Sequence, residues 1–320
     1  MAALGKWIEG LKSDGRVSDA ARLSLEARLA AVTYWLPLAA RQLDGDIEKV
    51  HQLRVSTRRA IAAIKLYGEW LPRRRARLLT KLLKRIRRAA GAARDLDVLN
   101  ERLQREFAAR AEELLTIVAH RRGAVQPKIE TVAERCLRNN RLHDKIGRTL
   151  RGIRPRGDSA KQHDANFGDW AALQLRQAAE RFFAAMPNGA SDLAALHRFR
   201  IAGKRLRYTM ELLAPACGPE LRDECYPVVE KLQERLGKIN DSATGSAYFN
   251  QWTSELAAAE QQDLLRQLID REQIRLQEAI DACRAWWTAE RADALRLALG
   301  IPLAEERPAP DELLDPSLVN

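Results

Sequence analysis

The chain has 320 residues, 46% hydrophobic and 30% charged. That length suits one large domain or two of about 150 residues each, and the composition excludes a disordered or fibrous chain. Lys and Arg number 54 against 43 Asp and Glu, a formal +11, so the expected partner is a polyanion: nucleic acid, an anionic membrane or another polyphosphate.

Aromatic residues reach 6%, and β-branched residues are sparse beside Ala, Leu, Arg and Glu. That balance disfavours an all-β fold and predicts helices. No run approaches the 18 apolar residues of a spanning helix. The opening MAALGKWIEGLKSDG lacks the apolar core of a secretory signal. Cys136, Cys217, Cys225 and Cys283 show no C-x-x-C spacing and read as buried thiols of a reducing, cytoplasmic compartment, with no metal site.

In chain order, residues 1–17 form an N-terminal segment. Helical periodicity then predicts a helix over 18–43, with Ser18 or Asp19 as N-cap, broken by Asp44-Gly45-Asp46. A second helix spans 46–71 and stops before Pro72. A third covers 73–90 and ends on Gly91 as a C′ residue. A fourth starts near Asp95, read as an N-cap, and continues to Arg122; helical segments fill 126–150. Residues 151–166 read as a linker rich in Gly, Pro and polar side chains. Helices resume over 168–186, 191–214, 219–236, 241–272 and 273–298. A poorly ordered tail (301–320) follows.

The two sides of the linker resemble each other. VHQLRVSTRRAI from Val50 and LHRFRIAGKRLR from Leu196 share an offset of 146, which pairs His51 with His197, Arg54 with Arg200, Arg58 with Lys204 and Arg59 with Arg205. Gly91 to Asp95 falls on Gly237 to Asp241 at the same offset. The expected architecture is therefore all-α: two pseudo-symmetric antiparallel helical bundles, residues 18–150 and 167–300, from an internal duplication.

At about 100° per residue, Arg54, Arg58 and Lys65 lie within about 60° of His51, with Arg59 flanking, while Leu53, Ala60, Ile64, Tyr67 and Leu71 gather on the reverse side. His197, Arg200 and Lys204 repeat that column, flanked by Arg205 and Arg207, opposite Phe199, Leu206, Met210 and Leu213. A further column holds Arg74, Arg77, Lys81, Lys84, Arg85 and Arg88 around Lys81, opposite Leu79, Leu83, Ile86 and Ala90. Arg94 is expected to turn toward this surface. Residues 49–94 carry 15 Lys plus Arg and one acid, Glu69. Stacked like charges are tolerated on a solvated face, but here they lack acids to pair with, and a His heads two of the columns. Phosphate oxygens suit this set: Arg grips them with planar forks, Lys with a point charge, and His gains charge beside an anion. With charged histidines as contacts, binding is expected to tighten below about pH 6.5–7.

The residues HQLRVSTRRAIAAIKLY (51–67), AARDLDVL (92–99) and LHRFRIAGKRLRYTMELL (196–213) resemble the CHAD family, the histidine-containing α-helical domains, with helical similarity over about 18–298. The resemblance implies helical bundles around a basic central groove or pore that binds inorganic polyphosphate, and association with polyphosphate granules. On it the candidate contacts are His51, Arg54, Arg58, Arg59, Lys65, Arg77, Lys81, Lys84, Arg85, Arg88, His197, Arg200, Lys204, Arg205, Arg207 and Lys231. Ile61 departs from the family pattern, and Glu211, Glu230 and Glu234 fall on Lys65, Lys84 and Arg88, so contact is expected to lean toward the first half. No E-x-E-x-K signature of an attached CYTH domain is found, which implies a stand-alone binding module rather than an enzyme, with no cofactor. A nucleic-acid-binding helical protein and an accessory to a polyphosphate-processing enzyme remain the alternatives. Against the first, no helix-turn-helix, RNP or KH motif is present. Against phosphoanhydride chemistry in the chain itself, the basic faces carry few metal-binding acids and there is no P-loop. A phosphohistidine at His51 or His197 would need an orienting partner, and none is evident. A membrane-surface role conflicts with the need of the apolar faces for the core.

Overall fold

The computed structural model describes residues 5–41, 47–154, 165–187, 192–255 and 259–302. The first half runs α1 (Val17–Ala40), α2 (Ile47–Leu66), a 3-10 turn (Gly68–Trp70), α3 (Arg73–Phe107), α4 (Glu112–Leu137) and α5 (Arg141–Leu150). The second runs α6 (Phe167–Ala184), α7 (Leu193–Leu213), α8 (Tyr226–Glu255), α9 (Ala259–Trp286) and α10 (Ala289–Ala298). Among the described residues the structure is all-α; its one extended pairing is an isolated bridge between Arg16 and Asn166. No described helix is long and apolar enough to cross a membrane.

Consecutive helices pack on one another: α1 on α2, α2 on α3 and α3 on α4, then α6 on α7, α7 on α8 and α8 on α9. α2 also packs on α7, which brings the two halves together at the helices that carry the matching basic columns. The apolar faces turn inward as the periodicity requires. Leu53, Ala60, Ile64, Tyr67, Phe199, Leu206 and Met210 are all buried. One continuous core joins the halves: Trp170 of α6 stacks on Tyr67 at 5.2 Å and meets Trp70 edge-on at 5.1 Å. A second, smaller core lies where the far ends of α3, α4, α8 and α9 meet, built on Leu103, Phe107, Val118, Phe249, Trp252 and Leu265.

Several expected boundaries are corrected. α3 runs unbroken through Gly91 and Asp95, and α8 through Gly237 and Asp241. Neither Gly91 as C′ nor Asp95 as N-cap is therefore correct. A lone glycine costs a helix about 1 kcal/mol, which packing along a 35-residue helix overrides. α9 likewise passes through residue 272, where a break was expected. The N-cap of α1 is Arg16, not Ser18 or Asp19. Its start is held by the strand-like exchange with the segment before α6, in which Val17 N donates to Ala165 O (3.1 Å) and Phe167 N to Gly15 O (2.8 Å). Side-chain caps do open later helices. Asp192 Oδ1 accepts from Ala194 N and Ala195 N at 2.8 and 3.0 Å and starts α7. The beginning of the expected linker is packed, with Ile153 buried and Arg154 N donating to Trp70 O. The Asp44-Gly45-Asp46 break, residues 155–164 and the tail beyond Pro302 lie outside the described residues.

Candidate functional site

The three- and four-residue steps of α2 stack His51, Arg54, Arg58 and Lys65 on the side that meets α7 and α3. Arg58 lies at the centre. It makes no hydrogen bond or ion pair among the described residues, yet its charge depresses the pKa values of His51, Arg54, Arg87, Arg200 and Lys204. Cations of α2, α3 and α7 thus converge on one cleft. Further along, Lys65 faces Arg205 of α7 and Lys84 and Arg87 of α3. Asp95 of α3 and Asp241 of α8 look into the same place: each acts on Arg54 or Arg200, and the Asp95 carboxyl is pushed up by burial and by Asp241.

Burial is the leading cause of each cation's depressed pKa, and the like charges add to it. Lys204 goes furthest, down to about 7, through burial and then Arg200, Arg58 and Arg207, with Asp241 opposing. His51 is pushed below its ordinary value by burial and then by Arg94, with Glu48 opposing. The expected charging of His51 near pH 6.5–7 is thereby moved downward in the unliganded cleft.

Two local devices bring the helices close. Arg54 lies over Gly91, where a Cβ would stand 3.1 Å from Arg54 Nη1. Its Nη1 reaches Arg87 O at 3.5 Å, and its Nη2 is 3.9 Å from Asp95 Oδ1. Gly91 therefore serves close approach of a guanidinium. On the other side, His197 Nδ1 and Arg200 Nη1 each lie 3.2 Å from Asn240 Oδ1, beside a cavity of about 360 Å³ between α7 and α8.

The predicted residues separate into groups. His51, Arg54, Arg58, Lys65, Lys84, Arg200, Lys204 and Arg205 are brought together, with His197 at the Arg200 end. Arg59 and Arg207 go instead to an internal network. Arg59 Nε and Nη2 donate to Glu211 at 2.7 and 3.2 Å, and Tyr226 Oη donates to it at 3.0 Å. Arg207 and the buried Arg28 lie 3.8 and 3.7 Å from the same carboxylate. Glu211, which falls on Lys65 in the offset, thus spends its charge inside the protein at 1% exposure. Arg77, Lys81, Arg85 and Arg88 are exposed on α3. Arg85 lines a hollow with Arg135, Cys136, Arg141 and Lys145, and Arg88 neighbours Arg87. Lys231 is exposed and paired with Glu234 at 3.0 Å.

Arg87 and Arg94 belong to the cleft; Arg94 was expected to turn toward this surface, whereas Arg87 was absent from the predicted contacts. The signal for them was Gly91, which shares their side of α3 and marks where another element comes close. In the second half the place of Arg87 is taken by Gln233, buried over Gly203, where a Cβ would stand 2.2 Å from Gln233 Nε2. Gln233 supplies no cation at that place. Asp97, the other carboxylate of the RDLDVL run, is buried and accepts from Arg122 Nε at 2.6 Å.

These features define an all-helical protein that gathers basic side chains from α2, α3 and α7 around one cleft. The chain belongs to the CHAD family: the CHAD domain model matches residues 23–250. Among solved structures it is similar to the CHAD domain of the plant Ricinus communis, with a TM-score of 0.63, 23% identity, and coverage of 93% of this chain and 96% of that one. It is also similar to PptA from Streptomyces chartreusis, with a TM-score of 0.62, 15% identity, and coverage of 85% and 99%. A curated relative, the uncharacterized protein MT2285 of Mycobacterium tuberculosis (strain CDC 1551 / Oshkosh), is 29% identical over 214 residues, 64% of this chain. The match covers 40% of that relative's length.

Proposed function

We propose that the cleft binds inorganic polyphosphate without catalysis, and that the protein is a polyphosphate-binding module of the cytoplasm associated with polyphosphate granules. The observation that carries this reading is Arg58: a guanidinium that makes no hydrogen bond or ion pair among the described residues, ringed by Arg54, Arg87, Arg200 and Lys204, with the Asp95 carboxylate acting against that repulsion. A cluster of this kind repels itself, and each cation gains from a linear anion that supplies several phosphate oxygens in sequence. Family membership supports the same ligand class. Bases are not needed for this mode of contact. Of the rings beside these cations, Tyr208 is 8% exposed, and Tyr248, beside Arg54 and Asp95, is half-buried.

The test is a polyphosphate isotherm at about 50 and 200 mM salt. Counterion release across about six to ten contacts predicts a loss of roughly 10³- to 10⁵-fold in affinity, by analogy with nucleic acids. Duplex DNA or RNA that displaces the bound chain at equal phosphate concentration would favour the nucleic-acid reading instead. Phosphate release from polyphosphate with magnesium or manganese would show that the cleft is catalytic.

A further inference from the structure

Where α3, α4 and α5 meet, four exposed cations converge without a counter-charge. Arg85 of α3, Arg135 of α4, and Arg141 and Lys145 of α5 line a hollow of about 200 Å³ over the buried Cys136 and Val132. None of these four side chains makes a hydrogen bond or ion pair among the described residues. The acids at hand are committed elsewhere: Glu134 pairs with Arg138, and Asp144 lies 4.0 Å from Arg148. α3 holds no acid before Asp95. The turn from α4 to α5 builds the convergence. Asn139 and Asn140 both take a left-handed φ of 53°, which asparagine tolerates better than most side chains, and α5 folds back against α3 and α4. Arg141 and Lys145 then stand one turn apart on α5 as a like-charge pair. A cation suits the last turn of α4, where Arg135 sits, but opposes the helix dipole at the start of α5, where Arg141 sits.

An anion in the hollow relieves the like-charge pair and the misplaced cation together. We propose that this hollow binds one compact phosphoanion, of about the size and charge of pyrophosphate, at a site separate from the cleft. Its volume is below the roughly 300 Å³ at which pockets begin to enclose drug-sized ligands, so a nucleoside does not fit inside it. Three guanidiniums offer planar forks to non-bridging oxygens, and Lys145 adds a point charge. The Cys136 thiol beneath adds no competing charge, because burial pushes its pKa up against the opposing pull of Arg85 and Lys145. The hollow and the cleft use different flanks of α3: Arg85 and Arg87 lie about 200° apart around its axis. The inference therefore stands whether or not the cleft takes polyphosphate. Free pyrophosphate and the terminal phosphates of a polyphosphate chain present the same chemistry to these four cations.

The test titrates inorganic pyrophosphate into the full chain carrying Arg58→Gln and Arg200→Gln, which weaken the cleft, and reads calorimetry together with hydrogen exchange. One pyrophosphate per chain is expected, with slowed exchange over residues 131–150. Adding Arg135→Gln with Lys145→Gln should weaken this binding by at least about tenfold. Adding Lys128→Gln with Lys238→Gln instead removes the same charge from other exposed positions and should change it by less than about twofold. Circular dichroism checks that each variant keeps its helicity. Absence of binding, protection confined to residues 47–66, or equal losses from the two pairs overturns the proposal; equal losses would mean diffuse attraction to a basic surface. Long polyphosphate added as competitor separates the sources. Displacement of pyrophosphate in proportion to chain ends assigns the hollow to polymer termini, and no displacement assigns it to free anions; both keep a compact phosphoanion site. Displacement in proportion to total phosphate overturns it, because the hollow would then be a stretch of track for the interior of the polymer.

Discussion

Arg59 of α2 closes on Glu211 of α7 with both ends of its guanidinium, at 2.7 and 3.2 Å, across 152 residues of sequence. The carboxylate is 1% exposed and is shared with Arg28, Arg207 and Tyr226. Arg28 in turn donates to Gly5 O and Lys6 O, so the N-terminal segment is tied to the same centre. Removing one partner from such a network leaves buried charge uncompensated. Glu211→Gln should therefore lower unfolding stability by about 3–5 kcal/mol in urea or guanidinium titration. A loss under about 1 kcal/mol would mean that water reaches the arginines and that the network does not join the halves.

The glycines of the two basic helices answer to different neighbours. At Gly91 an added Cβ meets only the end of the flexible Arg54 side chain, at 3.1 Å, inside a continuous helix. Gly91→Ala should be neutral or raise stability by up to about 1 kcal/mol, since alanine favours the helix. At Gly203 the Cβ would stand 2.2 Å from Gln233 Nε2, which is itself buried. Gly203→Ala should cost about 1–3 kcal/mol by overpacking. Were Gly91 a left-handed C′ residue, its alanine variant would lose stability. Thermal melts of the two variants separate these cases.

That contrast shows what the sequence could and could not carry. The apolar stripes were legible because burial follows the helical period: Leu53, Ile64, Phe199 and Met210 lie where rotation put them. The helix ends at Gly91 and Asp95 were misplaced because local preference was weighed without the packing that carries α3 past them. The fates of Arg59 and Arg207 depend on Glu211, a partner far along the chain for one and on the same helix for the other, and no periodicity distinguishes a paired arginine from a free one. The α3 column was centred on Lys81, whereas the contact with α2 selects the flank of Lys84, Arg87, Gly91 and Arg94. Which flank of a broad basic face turns inward is a tertiary fact.

The two flanks of α3 and the columns of α2 and α7 can be told apart by charge removal. Arg58→Gln with Arg200→Gln takes two cations from the cleft, and the salt slope of polyphosphate binding should fall by about two contacts. The paired control, Arg77→Gln with Lys81→Gln, removes the same charge from exposed positions of α3. It should reduce affinity less and leave the slope nearly unchanged in moderate salt, where exposed charges are screened beyond about 10 Å. Isotherms for both pairs at two salt concentrations are sufficient. Equal effects would place the ligand on the outer face.

Lys204 links the cleft to stability through pH. Its amine titrates near 7 in the folded protein and near 10.5 when unperturbed. Between these values the unfolded chain holds a proton that the folded protein does not, so this group makes stability rise as pH goes from about 7 to about 10.5. Below pH 7 both states are protonated, and the folded state bears the full repulsion from Arg58, Arg200 and Arg207. Lys204→Met keeps the aliphatic stem and removes the charge. It should be more stable than the wild type by on the order of 3 kcal/mol at pH 6, allowing for solvent screening, with the gain fading toward pH 10. Denaturant titrations of both proteins at pH 6, 8 and 10 check the trend. A gain that stayed constant across that range would show that Lys204 titrates as an ordinary surface lysine and that the cations of the cleft do not act on it.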